Sequence, residues 1–146
     1  MDVYSREQFL NCLSGEWAQF LRRYSALSAA DQRAYLEKQG YTSLAALLGH
    51  VIAWWQDGER LIEQMRRNPA VPLPQYDVDA FNAQAVQRFA GQSEAEVACA
   101  FEAQRQKIEN LLNDLSEAEL TYPTINRRLY YEVLSHWKEH ALPQSA

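Results

Sequence analysis

Histidine is scarce in this sequence, three residues in 146, and cysteine scarcer, two residues at positions 12 and 99. The cysteines are isolated and form no C-x-x-C pair, so a disulfide scaffold and a cysteine-rich metal site are both excluded. Two reduced, packed thiols in a cytoplasmic protein are expected instead. Positive charge is also short: 14 Lys and Arg stand against 19 Asp and Glu, leaving a net charge of −5. That balance argues against nucleic acid or an anionic membrane surface as the main partner. No apolar run approaches the roughly 20 residues that span a bilayer. The opening residues MDVYSREQFL lack a basic segment followed by an apolar run, so no secretory leader is expected. Alternating strand patterns, internal repeats and low-complexity segments are missing as well.

What is present is helical periodicity. Phe9, Leu13, Trp17, Phe20, Tyr24 and Leu27 recur at helical spacing behind a capping box at Ser5–Gln8. Ser28 and Asp31 open a short helix that ends at Gly40. Thr42 or Ser43 caps the next, with Leu44, Leu47, Leu48, Val51, Ile52, Trp55, Ile62 and Met65 as its stripe. The segment NPAVPLPQYD then breaks the pattern, because Pro69, Pro72 and Pro74 remove backbone donors. Asp77 or Asp79 starts a modest helix that closes near Gly91. Ser93–Glu96 reads as a second capping box, before a long helix bearing Val97, Phe101, Ile108, Leu111, Leu112 and Leu115. Ser116–Glu119 reads as a third, and a last helix is expected from about Asn126 to Ala141. The expected architecture is all-α: a single domain over residues 1–146, a four-helix bundle with a proline-rich crossover and short additional helices.

The histidines fall into this pattern. His136 and His140 share the core stripe of the last helix with Leu129 and Val133, and at i, i+4 their rings lie about one turn apart. His50 lies about a third of a turn from the centre of the apolar stripe of its helix, at the edge of the core. Three neutral imidazoles suit a divalent metal such as zinc, nickel or iron. Three protein ligands leave a position for water or substrate, the mark of a catalytic site. The competing reading is that the rings hydrogen-bond within the core. HWKEH also matches the inverted zinc-protease signature, but Glu139 points about 80–100° away from the stripe and reads as a surface charge.

One histidine in LLGHVIAWWQDGERLI and the H-x-x-x-H pair on the final helix resemble the DinB/YfiT-like superfamily. The stretch YDVDAFNAQAVQRFAGQSEAEV resembles more narrowly its ClbS/DfsB branch, where an FN segment follows a proline-rich crossover. The resemblance implies a four-helix bundle in which His50, His136 and His140 bind a divalent metal. It implies activities found in that superfamily: metal-dependent transfer of low-molecular-weight thiols, or hydrolytic opening of a strained ring in a genotoxin.

The expectation is therefore a metal-dependent enzyme acting on a small electrophile by thiol transfer or hydrolysis. The alternatives are a metal-independent hydrolase and a non-catalytic sequestering protein. Beside the histidines, Glu132 stands one turn before His136 and is a candidate partner for its imidazole, or else a surface carboxylate. Asp57 is a candidate general base, or else a solvated charge. Gln104 interrupts an apolar stripe and is a candidate pocket residue, and Trp54 is a candidate wall for a cofactor or substrate. The expected partner is a small molecule, with a homodimer left open.

Overall fold

The computed structural model describes residues 2–143, and every regular element among them is a helix. Helix α1 (residues 6–26) starts at the Ser5 capping box: the Ser5 hydroxyl accepts from the Gln8 N–H, and the Gln8 side chain accepts from the Ser5 N–H. Helix α2 (Ala29–Gln39) is capped by Ser28 and ends at Gly40, whose φ of 82° is left-handed and costs glycine little. Helix α3 (Leu44–Arg67) is capped by Ser43 rather than Thr42, and α4 (Val78–Phe89) by Asp77 rather than Asp79. Helix α5 (Glu94–Asp114) follows Ser93, but only half of the expected capping box forms. The Ser93 hydroxyl accepts from the Glu96 N–H and donates to the Glu96 carboxylate, so that carboxylate does not reach back to the Ser93 backbone N–H. Helix α6 (Glu117–Thr121) carries the complete box at Ser116. Helix α7 (residues 123–140) begins before Asn126, because Pro123 occupies the first helical position, where its missing N–H is harmless.

Two stretches depart from the expected period. Asn11–Trp17 in α1 and Tyr130–Ser135 in α7 are wound as wide π turns. A π turn disturbs the regular ladder and exposes carbonyls to other donors. In α7 core side chains take them up. The Trp17 indole donates to the Val133 carbonyl at 2.9 Å, the Cys12 thiol to the same oxygen at 3.4 Å, and the Trp55 indole to the Glu132 carbonyl at 2.8 Å. The wide turn of α7 ends at Ser135, immediately before His136.

Helix α1 packs on α5, α5 on α3, α3 on α7 and α7 on α1, closing the bundle. Its centre is aromatic: Trp17 lies edge-on to Trp55 and to Trp137, each at 5.0 Å, and Trp55 stacks on Phe101 at 5.4 Å. All the stripe residues expected on α3 and α5 are buried. Each large apolar side chain withdrawn from water stabilises the fold by about 1.5–3 kcal/mol. The proline-rich crossover leads into α4, which lies along α3. That approach requires glycine at position 49, where a Cβ would sit 2.7 Å from the Phe89 ring. The seating of α4 positions the site described next.

Candidate metal centre

His50 on α3 and His136 and His140 on α7 are 6, 8 and 6% exposed, and each offers a ring nitrogen within 4.8 Å of the other two. Ring centroids are 5.1–5.4 Å apart. His50 is thus fully buried rather than at the core's edge, because α4 covers that side of α3. Burial disfavours the charged form of each ring. It drives His136 down to about 3, with the neighbouring histidines and Arg128 adding to the effect, and His140 down to about 4, with His50 adding. His50 is also lowered, burial outweighing its bond to Asn82. All three are therefore neutral near pH 7 and carry a free lone pair.

The outer nitrogens are engaged unequally. His50 Nδ1 lies 3.0 Å from Asn82 Oδ1, which also accepts from the Trp54 indole at 2.7 Å. His140 Nδ1 lies 2.8 Å from Gln39 Oε1, and the Gln39 amide donates to the Glu139 carbonyl at 3.0 Å. The Tyr35 hydroxyl donates to the His140 carbonyl, holding the end of α7. His136 Nδ1 lies 3.9 Å from a Glu132 oxygen and, like His140 Nε2, is buried without a hydrogen-bond partner among the described residues. Buried polar atoms normally find partners. An orphaned imidazole nitrogen facing two other neutral imidazoles fits a bound cation, and the donor set suits a borderline divalent metal.

Glu132 is 5% exposed, so it is no surface carboxylate. Burial pushes its carboxyl up to about 8 against the opposing pull of Arg128, whose guanidinium lies 3.4 Å away. Gly58 makes room for this pair. A Cβ there would meet Glu132 Oε2 at 2.8 Å and Arg128 Nε at 3.3 Å.

Asp57 is bonded by Arg60 at 2.7 Å, by Arg128 at 3.1 Å and by the Tyr76 hydroxyl. Burial raises its pKa, but those three donors outweigh it and hold the carboxyl below its usual range. The carboxylate is thus a charged anchor for Arg128, which in turn bonds Glu132 beside His136. Trp54 packs against Phe81 at 4.0 Å and Tyr76 at 5.2 Å, with the Arg128 guanidinium 5.9 Å from its ring. Gln104, on α5, is 2% exposed. Its amide nitrogen has no partner, and it joins no hydrogen bond of the histidine network among the described residues. Glu139 is on the surface as expected, its side chain 61% exposed, with an oxygen 4.0 Å from His140 Nε2.

Sequence reasoning missed Asn82, Gln39, Tyr76 and Arg128. Asn82 had a signal, since it belongs to the FN segment after the crossover. Gln39 had none, being one more polar residue before a helix-ending glycine. No curated protein and no solved structure gives a significant match to the chain. The family model of the DinB superfamily matches residues 7–142, almost the whole length, and the protein belongs to that superfamily.

Proposed function

We propose that this protein is a metal-dependent enzyme of the DinB superfamily, acting on a small electrophile by thiol transfer or hydrolysis. The observation that carries the reading is the convergence of three buried, neutral imidazoles, with His140 Nε2 left without a partner among the described residues. His50, His136 and His140 would hold a divalent ion such as zinc, nickel or iron. The ion would supply a Lewis acid that lowers the pKa of a water or thiol in its open position.

The chain's own residues shape the surroundings. Desolvation keeps the imidazoles unprotonated, so the site is competent near neutral pH. Glu132 brings a carboxyl beside His136 and can hold a proton there. Arg128, anchored by Asp57 and Tyr76, sets the charge that Glu132 meets. Trp54, Phe81 and Tyr76 form an aromatic wall on the side of α3 that carries His50.

The narrower ClbS/DfsB reading is supported by the FN segment, whose Asn82 reaches His50. A metal-independent hydrolase relying on Asp57 or Gln104 has less support. Asp57 is held below the usual carboxylate range, and Gln104 lies in the core of α5. A cytoplasmic location and a small-molecule substrate belong to the same proposal.

The test is metal analysis of protein purified without a histidine tag, followed by turnover of small electrophiles with and without added thiol. Expected are about one metal per chain and turnover lost on chelation. Turnover that survives complete removal of metal would overturn the reading.

A further inference from the structure

We propose that Asn82 and Gln39 are positioning residues that set the tautomers of His50 and His140, and that Trp54 locks the first of them. The inference rests on the metal reading only for its binding arm; the tautomers are a property of the metal-free chain.

Two groups beside the histidines have a hydrogen-bonding sense that cannot invert. An amide side chain can flip, exchanging its oxygen and its NH2, and a neutral imidazole can carry its proton on either nitrogen. An indole N–H can only donate, and a backbone carbonyl can only accept. The Trp54 indole bonds the Asn82 side chain at 2.7 Å, so the atom it meets must be the amide oxygen. That same oxygen lies 3.0 Å from His50 Nδ1, which must therefore carry the proton. The Glu139 carbonyl meets the Gln39 side chain at 3.0 Å, so the atom there must be the amide nitrogen. Gln39 Oε1 then faces His140 Nδ1 at 2.8 Å, and that nitrogen too must donate. In both rings the lone pair is left on Nε2, and His140 Nε2 is buried without a partner among the described residues. His136, whose Nδ1 has no such amide, is not locked in this way.

The two locks come from outside the helices that carry the histidines they hold. Asn82 is on α4 and Gln39 ends α2. Trp54, one turn beyond His50 on α3, thus acts on it through one shared oxygen.

Metal-free protein with 15N-labelled histidine is examined by long-range 1H–15N correlation spectra, and Zn2+ affinity is measured by competition with a chromophoric chelator. The wild type should show His50 and His140 with the proton on Nδ1. Asn82→Leu should release His50 alone and Gln39→Leu should release His140 alone. Each should weaken Zn2+ binding about 10–100-fold, the usual penalty for losing an outer partner of a metal-binding histidine. Asn82→Asp keeps an acceptor for both His50 and the Trp54 indole and should keep tautomer and affinity. Trp54→Phe should weaken binding in the wild-type background but not in Asn82→Asp, because a carboxylate has no flip to lock. An Nε2–H tautomer at His50 or His140 in the wild type would overturn the proposal, and this arm needs no variant to fold. So would an unchanged His50 tautomer and Zn2+ affinity in a folded Asn82→Leu protein. Correct tautomers without Zn2+ binding in the wild type would instead overturn the metal reading and leave the assignment of the positioning residues standing.

Discussion

His136 and His140 are driven to about 3 and 4 in the folded chain, against 6.5 for an unperturbed histidine. Between those values the unfolded chain binds protons that the folded chain refuses, so stability rises with pH through that window. The slope approaches about 1.4 kcal/mol per pH unit for each ring. Glu132 works the other way. Its carboxyl is raised from 4.5 to about 8, so the folded chain holds a proton that the unfolded chain has lost, and stability falls as pH rises between those values. For the metal-free protein the two limbs place maximum stability near pH 6.5, measurable as the urea midpoint from pH 4 to 9. Glu132→Gln should flatten the alkaline limb, and His136→Ala should make the acid limb shallower. His136→Ala should also weaken metal binding by more than about 100-fold, beyond the loss of an outer partner. The fold should survive, since Leu129 and Val133 stay buried and Trp137 stays packed against Trp17. Circular dichroism and metal stoichiometry of the variant separate these two effects.

At the scale of elements, the wide turn of α7 is held by indole donors from α1 and α3. Trp55→Phe keeps most of the ring volume but leaves the Glu132 carbonyl without its donor, at a cost of about 1–3 kcal/mol. Thermal unfolding should show it, and a variant as stable as the parent would mean that water replaces the indole. The seating of α4 on α3 is equally specific. Gly49→Ala places a methyl against the Phe89 ring, and overpacking of this kind costs about 1–3 kcal/mol. Because α4 carries Asn82, Zn2+ affinity should fall together with the melting temperature. A loss of stability with unchanged affinity would show that α4 can shift at Phe89 without disturbing Asn82.

At the scale of the whole molecule, a net charge of −5 and no basic recognition helix predict that the protein does not bind duplex DNA specifically. A filter-binding titration should show no salt-sensitive, sub-micromolar affinity. Among the described residues no helix is long and apolar enough to cross a membrane.

What depends on period and local chemistry was legible in the chain alone: the helices, their serine and aspartate caps, the stripe residues of the core, and the three histidines as a candidate set. A side chain's direction around a helix follows from its position along it, so His136 and His140 could be placed together without any other element. The rest depends on which helices meet, and so came from the packing. His50 is buried because α4 crosses it, and Glu132 because Gly58 lets α7 approach α3. Asn82 and Gln39 reach their histidines across 32 and 101 residues of chain. The π turn of α7 was equally invisible, since its carbonyls are stabilised by indoles from other helices. Periodicity along one helix carries no record of such partners; they are chosen by the packing that brings them within hydrogen-bond reach.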